Sequence, residues 1–579
     1  MELVESKVNW KGETAVKYIH GRFRAASFIL VAFALENVAN IHLTVNLVTY
    51  FSGVLHMESA EAANALTSFM GTGYILPILF AIFADTNIGR FKTIILSGFI
   101  EFLGMVLLTV QAHYSSLRPP PCDVFDPTSR CEKLNGGQNV FLYGALYLVA
   151  AGMAGIKAGV PSHGADQFDG KDHREAKQMP SFFNGLLFVV CIGGAISLAL
   201  FVWLDVHKGW DVGFGASAIA MFLALVVAVL GWPFYRIHVT KGTSAIVEII
   251  QVFVAAFRNR NLQLPDNPLD LYEIERDKEA GLVSDDDFLP HRNILRFLDK
   301  AAIRTASQTP NPWKLCTVTQ VETAKIIFRM FPIFTCAIIM TLCLAQLQTF
   351  SVQQGLTMDT KVFGSFHISP ASLPIIPIIF MIIVVPIYDQ IIVPMLRKYT
   401  GHLTGITHLR RIGVGLFLSA LSMGTAAIIE TKRRSVAQNH NMLDALPVFQ
   451  PLPITVFWLS FQYFIFGIAD MFTYVGLLEF SYSEFPKKLK TVSTCFLWTS
   501  MSLGYFLSSI LVRTVNRLTA DHTGSAGWLT GNNINKNHLD RFYWLLFVSS
   551  LVNFFIYLFV SRSYEYRSGS KNGPQTEAN

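Results

Sequence analysis

Apolar runs of about 20 residues recur along the whole chain, each long enough to cross roughly 30 Å of hydrocarbon. Twelve spans are read, near 27–51, 63–84, 91–112, 140–161, 183–204, 213–235, 322–348, 371–396, 410–430, 453–480, 491–514 and 541–562. In lipid every backbone N–H and C=O must be satisfied within the protein, so such a chain can fold only as a helical bundle or a closed barrel. The runs are continuous and do not alternate, which excludes the barrel. Composition agrees: 15% of residues are charged, against about 25% in soluble domains. Residues 1–24 are polar and lack a short apolar core, so no cleavable signal peptide is expected and the first span should act as its own insertion signal.

Six spans, a polar region of roughly 85 residues and six more spans describe an all-α membrane protein with twelve transmembrane helices. Two six-helix halves joined by a long linker are the major facilitator architecture, here inferred from hydropathy symmetry alone. The expected parts are a cytoplasmic N-terminal segment (1–26), an N-terminal half (27–235), a cytoplasmic central linker (236–321), a C-terminal half (322–562) and a cytoplasmic tail (563–579). Basic residues set the orientation. Arg90 and Lys92, Lys171, Arg174 and Lys177, Arg397, Lys398, Arg410 and Arg411, and Lys487, Lys488 and Lys490 fall on one side, which is read as cytoplasmic. Lys432–Arg433–Arg434 is the exception. The net charge of +6 therefore reflects orientation in the bilayer, not nucleic-acid binding. In the linker, 243–260 has the spacing of an amphipathic helix lying on the inner membrane face, and 291–305 is expected to be a second helix. Five cysteines lie in or beside apolar segments and read as core residues. Cys122 and Cys131 share one polar loop and would form a disulfide if that loop is outside.

Ionisable residues at membrane depth are expensive and mark function by default. Glu36 sits mid-span in the first run, on one stripe with Phe33 and Asn40. It reads either as a proton-titrating carboxylate or as a structural ion-pair partner. Lys157, late in the fourth span, could meet Glu36 or bind an anion; alternatively it snorkels to the interface. Asp470 is a second mid-span acid, in the other half. Glu101, Arg329 and Asp389 read as packing or interface ions, Glu479 as interfacial, and His42 as structural. Asp85 and Arg90 suggest an inner-side charge clamp. Thr93, three residues after Arg90, is a candidate site for a basophilic kinase, phosphate there adding nearly two negative charges, or an ordinary helix residue. The chain has no P-loop, no G-x-S-x-G, no metal-spaced cluster and no dinucleotide fingerprint. That argues against an ATP-driven pump and an enzyme, and no cofactor or metal is expected.

The strings NLVTYF (46–51), FADTNIGRFKTI (83–94), GIKAGVPSHGADQFD (155–169), SFFN (181–184), CTVTQVETAK (316–325), FSVQQ (350–354), ISPASLP (368–374), HLRRIGVG (408–415) and DRFYWLL (540–546) closely resemble the plant nitrate transporter/peptide transporter family. This is part of the proton-coupled oligopeptide transporter group, and the resemblance covers nearly the whole chain. It is most similar to the subgroup that imports abscisic acid and gibberellin. The family's Glu-x-x-Glu-Arg in the first span falls on Phe33, Glu36 and Asn37, so only the second Glu remains. The family's fourth-span Lys falls on Lys157, its tenth-span acid on Asp470 and its regulatory Thr on Thr93. The nitrate-binding His of the best-known nitrate member falls on Leu344, and a nearby Thr on Gln348.

The resemblance implies a proton-coupled importer of a small anionic solute, with Glu36 and Asp470 in proton coupling. Lys157, Phe33, Asn37, Leu344 and Gln348 would line the substrate site. A low-affinity nitrate transporter and a non-transporting sensor of the same fold are the alternatives. The expected partners are substrate, protons, the bilayer and a protein kinase; the expected location is the plasma membrane.

Overall fold

The computed structural model describes residues 3–84, 88–122, 131–169, 172–238, 245–265, 267, 270–273, 289, 291–304, 311–363, 366–387, 391, 395–396, 398, 406–445, 450–484, 490–520, 527–531 and 533–564. The first half runs through α1 (Arg22–Gly53), α2 (Ser59–Ile75), α3 (Pro77–Phe83), α4 (Arg90–His113), α5 (Gly136–Ala165), α6 (His173–Ile196), α7 (Val202–His207) and α8 (Trp210–Leu230). α2 and α3 are one span broken at Leu76, before a proline that cannot donate a backbone hydrogen bond. α6 and α7 are one span interrupted by a π-turn at Ser197–Phe201.

The linker contributes α9 (Ala245–Arg258). The second half holds α10 (Val318–Gln348), α11 (Phe350–Gly355), α12 (Ile375–Ile387), α13 (His408–Asn439), α14 (Leu459–Asp470), α15 (Gly476–Glu484), α16 (Lys490–Thr519) and α17 (Leu539–Arg562). A second π-turn, Met471–Val475, joins α14 to α15. Eleven stretches among the described residues are long and apolar enough to span a bilayer, and a shorter apolar helix fills the eighth place. α5 and α10 both begin with a reciprocal capping box, Asn135 with Gln138 and Thr317 with Gln320, which satisfies donors that a helix start leaves open.

Each half has its own apolar core. Leu43, Tyr50, Met105, Val149 and Phe214 belong to the first; Met330, Phe334, Met423, Leu459 and Phe542 belong to the second. Hydrogen bonds join the halves from Gln353 to the Ser59 carbonyl (3.1 Å), Ser372 to the Leu198 carbonyl (2.9 Å), Ser502 to the Gly71 carbonyl (2.6 Å) and Ser509 to Asn64 (3.0 Å). The first two lie toward the side that carries the Cys122–Cys131 loop. Those two cysteines are joined by a disulfide.

The expectation of an all-helical chain needs small corrections. β1 (Leu3–Val8), β2 (Thr14–Val16) and β3 (Ile237–His238) form an antiparallel sheet in the order β2-β1-β3. It ties the N-terminal segment to the chain just past α8. Fully buried Arg236 secures it, donating to the carbonyls of Lys17 (2.9 Å), His20 (2.8 Å) and Gln167 (3.1 Å) and pairing with Glu175 at 2.6 Å. These strands are too short and polar to carry an alternating apolar signature. On the opposite side, β4 (Met358–Asp359) pairs in parallel with β7 (Leu452–Thr455), and β5 (Lys361–Phe363) pairs antiparallel with β6 (Phe366–His367).

In the linker, the helix expected over 291–305 is only a short 3-10 turn, Leu298–Ala302. α9 docks Val252 and Ala255 on that turn and on Ala324 of α10, leaving Ile250, Phe253 and Phe257 exposed. Lys325 locks the arrangement, 2.7 Å from both Asp299 and Glu322. Each member of the basic triplet that breaks the orientation pattern has a local partner. Arg433 is fully buried and grips Glu430 at 2.7 and 2.6 Å; Arg434 binds Asp540 at 3.0 Å; Lys432 lies 3.5 Å from the Trp458 ring centre.

Candidate functional site

The site begins with the close approach of α4 and α5. A Cβ at Gly152 would lie 2.5 Å from the backbone nitrogen of Glu101, and one at Gly155 would lie 1.9 Å from the Ser97 hydroxyl. Only glycine permits this contact, since small residues let membrane helices touch backbone to backbone. The contact carries Glu101 against α1. There, Asn40 Nδ2 donates to Glu36 Oε1 at 2.9 Å and also to Glu101 Oε1. Asn37 Nδ2 donates to Glu36 Oε2 at 2.9 Å and to the Phe33 carbonyl at 2.7 Å. Lys157 Nζ lies 3.8 Å from Glu36 Oε1. Glu36 and Glu101 are 1% and 0% exposed. Two carboxyl groups and one ammonium therefore share a dry space, and the cluster is neutral when it holds one additional proton. Unpaired buried charge is costly, so the number of protons the cluster holds is tied to how its three charges are paired.

Lys157 does not snorkel outward. Its ammonium faces the rings of Tyr74 (5.9 Å) and Trp498 (5.8 Å), within the range of cation–π attraction. Tyr74 stacks on Trp498 (5.4 Å) and on Tyr505 (5.7 Å), and the Tyr505 hydroxyl donates to Gln348 at 2.6 Å. Trp498 and Tyr505 belong to α16 and Gln348 to α10. The aromatic ladder thus runs from the lysine of one half to the amide of the other.

Of the residues named from sequence, the structure brings Glu36, Asn37 and Lys157 together, and reaches Gln348 through the ladder. Phe33 meets the cluster only through its backbone, and Leu344 is half-buried against the second core. Among the described residues, no hydrogen bond or ion pair joins Asp470 to the cluster. Asp470 ends α14 at the π-turn, and its Oδ1 is buried with no hydrogen-bond partner. Arg90 pairs with Asp166 at 2.7 Å, while Asp85 lies outside the described residues, so the clamp partner that can be named is 76 positions away in sequence. Thr93 is 2% exposed and donates to the Gly89 carbonyl, so a kinase cannot reach it in this conformation. Glu479 binds Arg411 at 2.9 Å, as an interfacial acid would, and Arg329 lies over the Tyr564 ring. Asp389 lies outside the described residues. His42 is fully buried and away from Glu36, among serines.

Sequence reasoning underrated Glu101 and missed Tyr74, Trp498 and Tyr505. An acid near mid-span was the available signal for Glu101. Aromatic residues inside apolar helices carry none, because core and cavity use the same residue types.

The family model described as PTR2, the POT family, matches residues 91–529. The chain is 41% identical over 585 residues to Protein NRT1/ PTR FAMILY 4.6 of Arabidopsis thaliana, covering 98% of each chain. It is 42% identical over 571 residues to Protein NRT1/ PTR FAMILY 4.3 of the same plant, covering 98% of this chain and 94% of that one. Among solved structures, the POT family transporter PepTSo superposes with a TM-score of 0.65 at 17% identity, covering 93% of this chain and 98% of that one. An auto-inhibited POT family peptide transporter gives 0.63 at 18% identity, covering 95% and 99%. These structures share the fold. Taken with the relatives and the matched model, the bundle and its buried charges identify the chain as a member of the POT family, an integral multi-pass membrane transporter and not an enzyme.

Proposed function

We propose that the protein couples inward movement of a small organic anion to protons, the substrate being a bulky, mostly apolar carboxylate of the abscisic acid or gibberellin kind. One observation carries this reading: the Lys157 ammonium sits between the Glu36 carboxylate and two aromatic faces. With Glu36 charged, Lys157 is engaged. A proton on Glu36 frees the ammonium to take a substrate carboxylate, while the flat faces of Tyr74 and Trp498 suit an apolar body. Leu344 and Gln348 offer no cation to a small inorganic anion, which favours the organic acid over nitrate. Asp470 would be the second half's proton site, opposite the cluster. In this reading the termini and linker face the cytoplasm at the plasma membrane.

The test is radiolabelled uptake in a heterologous cell. Uptake of such an acid should rise as external pH falls and collapse in Lys157→Ala. Unchanged uptake in that variant removes Lys157 from the mechanism. Strong competition by nitrate would turn the assignment toward nitrate, and no accumulation in proteoliposomes of the purified protein would leave a sensor.

A further inference from the structure

A second group of ionisable side chains lies buried in the first half, and the reading above makes no use of it. His42, on α1, is 0% exposed, and Asp205, on α7, is 1% exposed. His42 Nε2 lies 3.9 Å from Asp205 Oδ2, too far for a hydrogen bond. Asp205 Oδ2 accepts from Asn46 Nδ2 at 2.8 Å, while Oδ1 is buried with no partner. It lies so close to α8 that a Cβ at Gly213 would fall 1.7 Å from it. The imidazole is bracketed by two hydroxyls, Ser217 at 3.3 Å and Ser197 at 3.5 Å.

The surrounding elements supply no cation to balance an aspartate anion. α1 brings Asn46, the π-turn brings Ser197 and Phe201, and α8 brings Gly213 and Ser217. From the second half, Ser372 reaches only the π-turn's backbone. The next acid on α8, Asp211, is engaged with His113 at 2.9 Å. Among the described residues, no Lys or Arg forms an ion pair or hydrogen bond with His42 or Asp205. A full imidazolium–carboxylate pair without a hydrogen bond between its members would not recover the cost of drying both ions. The neutral alternative places one proton on Asp205 and leaves the imidazole uncharged.

We propose that Asp205, with His42 beside it, is a second proton-binding site in the first half, spatially separate from the Glu36 cluster. The π-turn couples this site to the rocking of the halves. A π-turn leaves backbone carbonyls irregularly satisfied, and here Ser372 of the second half caps the carbonyl of Leu198, next to Ser197. When that contact between halves opens, the turn carrying Ser197 is released and the dry pair gains a path to water. The role assigned to this proton in transport rests on the proton-coupled reading above, whereas its binding does not.

The experiment is therefore split. Infrared difference spectra of the full-length protein in liposomes, titrated from about pH 5 to about pH 9, should show a protonated-carboxyl stretch that bleaches with rising pH. Asp205→Asn should remove that band and Glu36→Gln should keep it. His42→Gln should retain the band but displace its midpoint, which covers the case in which Asp205→Asn does not fold. A parallel flux measurement should show Asp205→Asn lowering the number of protons moved per substrate. If Asp205→Asn leaves every carboxyl band in place, or if its band never titrates in this range, the proposal is overturned. If the band behaves as expected but the wild type moves no protons with substrate, the site stands and the proton-coupled reading falls.

Discussion

Around Glu36 and around Asp470 the two halves hold their buried charges in different ways. In the first half, Asn40 links Glu36 to Glu101, and Glu36 in turn pairs with Lys157. In the second half the central acid, Asp470, has an unpartnered carboxylate oxygen. That half's strong ion pair, Glu430 with Arg433, sits far along α13 toward the loops. One half thus gathers its central charges into a linked cluster. The other concentrates charge where packing must be held, and leaves its central acid free to respond. Networks of buried polar groups are worth more than their pairwise parts, and partial ones cost more. The first half should therefore respond sharply to any single change at its centre, and the second half mainly to changes at its rim.

The largest expected effect is on transport. Lys157→Ala strands the Glu36 carboxylate and should lower uptake at least about tenfold, a change of roughly 1.4 kcal/mol in the transport barrier. Asp470→Asn, by contrast, alters a carboxyl group whose buried Oδ1 has no hydrogen bond to lose and should lower uptake less, while weakening its dependence on pH. Equal losses in the two variants would break the comparison. Arg433→Met addresses the rim. Breaking a buried pair by removing one partner costs about 3–5 kcal/mol, so thermal unfolding of the purified protein should move down markedly, with substrate affinity retained in the fraction that folds. Gly152→Ala should cost about 1–3 kcal/mol by overpacking and, by pushing Glu101 off Asn40, should also shift the pH dependence of uptake. A loss of stability without that shift would detach Glu101 from the cluster.

The smallest effect concerns His538, at the start of α17, whose Nδ1 accepts from Arg434 at 2.5 Å. Burial first, then Arg434 and Arg541 beside it, hold its pKa below the ordinary histidine value. The unfolded chain therefore binds that proton more tightly than the folded one. Stability should fall modestly as pH drops through about 6.5, the unperturbed value, and His538→Gln should flatten that slope. A slope that the substitution does not alter would assign the acid sensitivity elsewhere.

Much of this was legible in the residues. Spans announce themselves because lipid tolerates only continuous apolar helices. Glu36, Lys157 and Asp470 stand out because charge at that depth is rare. What could not be read were pairings set by three-dimensional approach. Arg90 finds Asp166 in the fourth-to-fifth loop, a pairing 76 positions apart that no local pattern announces. Glu101 becomes a neighbour of Asn40 only because Gly152 lets two helices touch. The glycines were visible, but spacing alone does not tell packing from flexibility. His42 and Asp205 lie on helices far apart in sequence, and nothing local to either residue signals the other.

The Arg236 clasp has a consequence for how the chain is made. Its donation to the His20 carbonyl joins positions 216 residues apart. While the ribosome is still short of that arginine, the first sheet lacks its third strand, and Glu175, 2% exposed in the finished fold, keeps the Asp169 N–H at 2.8 Å and Arg22 at 3.7 Å but lacks its closest cation. The N-terminal strands can therefore complete their sheet only after residues 236–238 have been made. A product cut off before residue 236 has neither the third strand of that sheet nor the arginine that pairs with Glu175.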